Sequence, residues 1–105
     1  MSQFVTVAKK DEIAPAGCKK VELGNYKLAV FHVDGDFYVI DDTCSHAEAS
    51  LSEGQLEGTI VRCPRHGAKF DITNGKALSL PAFKPVRSYK VQLAGDEVQV
   101  ELEID

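Results

Sequence analysis

Two short segments, Cys44-Ser45-His46 and Cys63-Pro64-Arg65-His66, hold four of the chain's six cysteine and histidine residues, and sixteen residues separate His46 from Cys63. In a chain so poor in these side chains, that concentration is what a shared metal site looks like. C-x-H and C-x-x-H each bend a loop so that a soft thiolate and an imidazole point the same way. Two such loops make a four-ligand pincer, and any fold adopted must bring both loop tips together. The order Cys, His, Cys, His is unusual for structural zinc, where the common patterns begin with a cysteine pair. It suits a two-iron cluster with mixed ligation, in which Cys44 and Cys63 hold one iron and His46 and His66 the other. Structural zinc is the competing reading, and colour separates the two, since zinc is colourless.

At 105 residues and 11.5 kDa the chain is read as one domain, residues 1–105, with no room for a second catalytic unit. A net charge of −4 and a pI near 5.3 argue against nucleic acid, whose phosphates would repel it. An acidic carrier suits a partner with a basic docking face. No apolar segment approaches the length needed to cross a bilayer, and residues 1–20 lack the features of a signal peptide, so no membrane association and a cytoplasmic location are expected. With two of three cysteines assigned as ligands, Cys18 has no disulfide partner, which fits a reducing compartment.

Valine, isoleucine and threonine are frequent, and turn residues interrupt the apolar runs every eight to twelve positions, so the chain reads as antiparallel β-structure. The expected strands are Phe4 to Ala8, Cys18 to Leu23, Tyr26 to Val33, Phe37 to Asp41, a short hairpin of Gln55 to Glu57 with Ile60 to Arg62, then Ala68 to Ile72, Val86 to Leu93 and Glu97 to Ile104. A short turn around Lys10 to Ile13 is the single helical expectation. Pro81 and Pro85 mark Leu78 to Pro85 as a loop. The architecture expected is all-β, an antiparallel β-sandwich or open barrel built from both chain ends, with residues 42–72 inserted as a two-loop cluster-binding subdomain.

The approach Phe37-Tyr38-Val39-Ile40-Asp41-Asp42-Thr43-Cys44-Ser45-His46, the stretch Leu51-Ser52-Glu53-Gly54 and the run Cys63-Pro64-Arg65-His66-Gly67-Ala68-Lys69-Phe70-Asp71 resemble the Rieske proteins. The likeness is greatest to the small Rieske ferredoxins that feed electrons to bacterial ring-hydroxylating oxygenases. It covers nearly the whole chain and implies the Rieske fold, one [2Fe-2S] cluster per chain, and a third loop around Pro81 that keeps water from the cluster. In the high-potential members, each loop carries an extra cysteine, joined as a disulfide, and a serine and a tyrosine hydrogen-bond the cluster. Here Ala49, Arg65, Ala68 and Phe70 stand at or near the matching positions, and none supplies those bonds. The resemblance therefore implies a potential in the low half of the roughly −150 to +300 mV Rieske range.

The other polar residues have plainer readings. Cys18 is expected to be a half-buried thiol on a strand, and His32 to face solvent opposite Phe31 and Val33. Arg65 and Glu48 are placed either to touch a partner or to solvate the rim, and the sequence does not separate these. Glu97, Glu101, Glu103 and Asp105 read as the wet face of an edge strand.

The resemblance implies a monomeric one-electron carrier, an iron-sulfur protein of aromatic hydrocarbon catabolism. It would accept electrons from an NADH-dependent flavoprotein reductase and deliver them to a terminal oxygenase, through contacts near His46, His66 and Arg65. A terminal oxygenase needs a mononuclear iron on two further histidines and a carboxylate. Only His32 remains, so stand-alone catalysis is not expected. The alternative is the small subunit of an NAD(P)H-dependent nitrite reductase, which shares the fold.

Overall fold

Leu28, Ala29, Val30 and Phe31 are consecutive and between 0 and 1 % exposed. A strand with one wet face alternates, so four buried residues in a row require cover on both faces. The computed structural model, which describes residues 2–44, 49–65, 67–79 and 84–103, shows where that cover comes from. The run belongs to β3 (Tyr26–Val33), which pairs with β2 (Cys18–Leu23) and β4 (Asp36–Asp41) in a four-stranded antiparallel sheet completed by β8 (Ser88–Tyr89). One face of this sheet presents Leu28, Val30, Phe37 and Val39 to Val98, Val100 and Leu102 of a second sheet, β1 (Ser2–Lys9), β10 (Glu97–Glu103) and β9 (Val91–Ala94). The other face presents Ala29, Phe31 and Ile40 to Val61, Phe70 and Ile72. These surround a small third sheet of β5 (Gln55–Glu57), β6 (Ile60–Arg62) and β7 (Lys69–Asp71). The all-β expectation is borne out, with one sheet shared between two cores.

Several local expectations change. The segment 86–93 is not one strand: β8 pairs with β4, the chain turns at Lys90, and β9 pairs with β10 in the other sheet. Glu97, Glu101 and Glu103 lie on a central strand, since β10 has β1 on one side and β9 on the other. His32 is half-buried, stacked on Phe37 with ring centroids 4.3 Å apart, and its Nδ1 lies 2.8 Å from the Ile13 carbonyl. Leu78, assigned to a loop, donates its N–H to the Lys69 carbonyl at 2.8 Å, just past a bridge between Ala77 and Phe70. The turn near Lys10 is a 3-10 turn over Lys10–Glu12, and a second one, Leu51–Glu53, was not foreseen. His46, Glu48, His66, Pro81, Ile104 and Asp105 lie outside the described residues.

The end of β4 is tied to β8 by Asp41. Its carboxylate accepts the Tyr89 hydroxyl at 2.5 Å and the Arg87 Nε at 3.2 Å, and its N–H donates to the Arg87 carbonyl at 2.9 Å. Burial, followed by the hydrogen bond to Asp41, pushes the Tyr89 phenol well above its ordinary value. A group whose folded pKa is raised contributes stability that is complete below its unfolded pKa and declines as pH rises above it. Thermal melts between about pH 9.5 and pH 12 should therefore show alkaline destabilisation with a shallower slope in Tyr89→Phe. At neutral pH the same variant should be about 1 kcal/mol less stable for the lost hydrogen bond. Parallel slopes in the two proteins would contradict this role.

Candidate metal centre

β4 runs directly into the first loop, and Asp42 anchors it. Asp42 is 1 % exposed, accepts the Ser52 N–H on Oδ1 at 2.9 Å and the Leu51 N–H on its carbonyl at 2.6 Å, and places Oδ2 3.8 Å from Lys20 Nζ. An isolated buried carboxylate would be costly; these donors offset the lost hydration and hold the loop's two ends together. Thr43 bridges Ser50, and the Cys44 N–H donates to the Ala49 carbonyl at 2.9 Å.

β6 delivers the second loop in the same manner. The Cys63 N–H donates to the Ala68 carbonyl at 2.7 Å, so each cysteine bonds the carbonyl of the fifth residue after it. C-x-H and C-x-x-H are thus carried by loops closed by the same hydrogen bond. Gly67 turns the second loop at φ 70°, a conformation costly for other residues.

The two loops bring Cys44 and Cys63, 4 % and 1 % exposed, into one buried core. Neither is in a disulfide. Burial pushes the Cys63 thiol up, the backbone N–H of Arg65 on its sulfur opposes that, and the neighbouring Cys44 sulfur adds to the rise. Two adjacent buried sulfurs cannot both become thiolates without positive charge between them, which is what a shared iron provides. The donor set fits a cluster on this count. Among the described residues no group of three or more potential ligands forms.

Cys18 does not join them. Expected to be half-buried, the residue is instead exposed on β2, an outer strand of its sheet, and only its sulfur is partly covered, where the Sγ–H donates to the Ser52 carbonyl at 2.8 Å. Burial of the sulfur, then the Asp42 charge, raises this thiol. Arg65 is exposed, while Ala68 and Phe70 are fully buried in the core that holds Cys44 and Cys63. Asp42 was read only as the start of a loop; an acidic residue directly after a buried apolar strand was the available signal.

A buried cysteine pair, each opening one of two matched loops on a three-sheet β-scaffold, accords with an iron-sulfur protein of the Rieske class, which the family comparison shows this chain to be. The Rieske [2Fe-2S] domain pattern matches residues 3–90, and the chain belongs to that family. It is 43 % identical over 97 residues to the ferredoxin component of biphenyl 2,3-dioxygenase from Rhodococcus jostii, covering 92 % of this chain and 91 % of the relative. It is 43 % identical over 101 residues to the 3-phenylpropionate/cinnamic acid dioxygenase ferredoxin subunit of Photorhabdus laumondii, covering 95 % and 94 %. A solved complex of reduced oxygenase and oxidized ferredoxin in carbazole 1,9a-dioxygenase contains a similar chain, with TM-score 0.87, 36 % identity and coverage of 92 % and 91 %. Likeness to a nitrite reductase small subunit from Mycobacterium tuberculosis, at 19 % identity and TM-score 0.87, shows the fold alone. The protein is an electron-transfer ferredoxin with a [2Fe-2S] cluster, a component of a dioxygenase system rather than a stand-alone enzyme. No helix among the described residues is long and apolar enough to cross a membrane.

Proposed function

We propose that this protein is a monomeric, cytoplasmic carrier that takes electrons singly from an NADH-dependent flavoprotein reductase and passes them to a terminal ring-hydroxylating oxygenase. In this reading Cys44 and Cys63 hold one iron, His46 and His66 the other, and residues 42–72 form the cluster-binding subdomain. The observation that carries it is a pair of buried cysteines free of disulfides, set in one core, each opening a loop closed by a hydrogen bond to the carbonyl five residues on. A cluster bound there supplies reversible one-electron chemistry at a potential raised by its neutral imidazoles. The chain's own residues keep water from the sulfurs by burial, fix the loop ends through Asp42, and direct the Arg65 N–H at Cys63.

Ala68 and Phe70 bring no hydroxyl to this buried surround, which supports a potential in the low half of the Rieske range. Ala68→Ser should raise the potential by roughly 65 to 130 mV, the one-electron equivalent of the about 1.5 to 3 kcal/mol of a hydrogen bond to a charged acceptor. Voltammetry giving an unchanged or lower value would count against that account. The function itself is tested by anaerobic reduction with NADH and the reductase of a biphenyl dioxygenase system, followed by mixing with its oxygenase. Reduction and reoxidation of the visible band, with an EPR spectrum of mixed nitrogen and sulfur ligation, are expected. A colourless protein, or one inert to both partners, would overturn the proposal.

A further inference from the structure

β2 supplies none of the proposed ligands, yet this outer strand reaches the first loop twice. In its register with β3, Cys18 faces Phe31 and Lys20 faces Ala29, so both lie on the side of the sheet that packs on the core of Cys44 and Cys63. Cys18 donates to the Ser52 carbonyl, while Lys20 Nζ donates to Ser50 Oγ at 3.4 Å and stands 3.8 Å from Asp42 Oδ2. Asp42 leads into Cys44, and Ser50 follows Ala49, whose carbonyl closes the loop. Thr43 and Ser50 pair between them. Lys20 therefore touches both limbs of the loop's neck from another strand.

The neck holds a buried charge. The Asp42 side chain is 2 % exposed, and its Oδ1 is taken by the Ser52 N–H. Among the described residues, Lys20 is the one ion-pair partner of Oδ2, at a distance where charge acts but a hydrogen bond does not. Glu22 competes for the same ammonium at 3.5 Å, and Lys27 stands opposite Glu22 in the register. An open recess of about 470 Å³, bordered by Lys20, Lys27, Asp42, Ser50 and Glu53, lets water reach the lysine, whose side chain is 43 % exposed, far more than the carboxylate. A buried charge is poorly screened, and this one stands two residues before a proposed ligand. It opposes an added electron there, and the lysine offsets that opposition.

We propose that Lys20 is a positioning residue for the first loop and that it raises the potential of the cluster by acting through Asp42. This inference rests on the ligand assignment proposed above and adds to it a residue outside both loops. The neighbouring Lys19 makes the contrast. It faces Val30 on the opposite side of the sheet and is paired with Glu12 at 2.6 Å. Removing either lysine changes the net charge equally, but only Lys20 stands at the neck.

The test measures the potential of the cluster-loaded protein by voltammetry in the unaltered chain, Lys20→Met, Lys20→Arg, Lys19→Met, Asp42→Asn and the double variant Lys20→Met/Asp42→Asn. Methionine keeps an unbranched stem and removes the charge. In Lys20→Met the ratio of reduced to oxidised protein at a fixed ambient potential should fall at least about threefold, a downward shift of roughly 28 mV at about 59 mV per tenfold for one electron. Lys20→Arg, which keeps the charge, and Lys19→Met should each shift by less than about half of that. In the Asp42→Asn background the Lys20→Met shift should shrink to less than about half. A merely structural role would lower the unfolding midpoint of Lys20→Met and leave the potential unmoved. A smaller fall, no fall, or a fall matched by Lys19→Met overturns the proposal, as does a full-sized shift in the Asp42→Asn background. If that background takes up no cluster, the comparison of the two lysines decides alone. A colourless unaltered protein overturns the ligand assignment, and the role of Lys20 with it.

Discussion

Cys63→Ser should yield a protein without visible colour and without transfer activity, the rate to the oxygenase falling by more than about a hundredfold. Loss of an outer hydrogen-bond partner alone typically costs a metal site 10 to 100-fold, and here a donor itself is removed. Serine keeps the size of the side chain but replaces a soft thiolate with a hydroxyl that stays protonated near neutral pH. Because Cys63 is buried in the core shared by both loops, loss of the cluster should also lower the unfolding midpoint. Cys18→Ser provides the contrast. Its thiol donates to the Ser52 carbonyl and lies apart from the proposed ligands Cys44 and Cys63, so colour and potential should be unaffected. Retention of a normal spectrum in Cys63→Ser would refute the ligand assignment.

Gly54→Ala should be the most damaging single methyl group that can be added to the cluster-binding region. Gly54 has φ −80°, so its backbone conformation is open to any residue and the objection to alanine is purely spatial. An added Cβ would overlap the Arg62 carbonyl and press within 3.2 Å of the Leu51 carbonyl. Both obstacles are backbone, and the first is the residue immediately before Cys63. Overpacked side chains usually cost 1 to 3 kcal/mol, and rigid backbone relaxes less, so a loss of about 3 kcal/mol or more is expected. Poor cluster loading should accompany it. Urea titration of Gly58→Ala gives the comparison. That glycine has φ 59° but open space around it, so its cost should be about 1 kcal/mol. If the two variants unfold at the same midpoint, overlap with Arg62 is not what excludes a side chain at Gly54.

These two sites differ in how visible they were beforehand. Cys44 and Cys63 could be singled out as candidate ligands from spacing, because ligand chemistry restricts residue type, and the structure buries both in one core. The strands Cys18–Leu23, Tyr26–Val33 and Gln55–Glu57 were readable for a similar reason, since period-two alternation and turn residues are local properties. Gly54 entered only as part of the Leu51-Ser52-Glu53-Gly54 resemblance, and the spatial reason for a glycine there depends on a carbonyl eight residues later. Asp42 was passed over because nothing local shows that the donors of Leu51 and Ser52 come back to meet it. His32 was placed in solvent by alternation, which identifies the two faces of a strand but not whether an aromatic ring and a loop carbonyl will cover one of them.

The sequence by itself pointed to the class of this protein, a β-rich chain of the Rieske [2Fe-2S] family, and named two thiols and two imidazoles on two short loops as the ligands proposed here. Only the tertiary structure decided that β3 is buried on both faces, that the chain changes sheets at Lys90, and that Arg62 stands opposite Lys69. The reason is physical. Ligand type and backbone propensity act within a few residues, whereas strand register pairs positions far apart in the chain, and alternation alone leaves the partner of each strand undetermined.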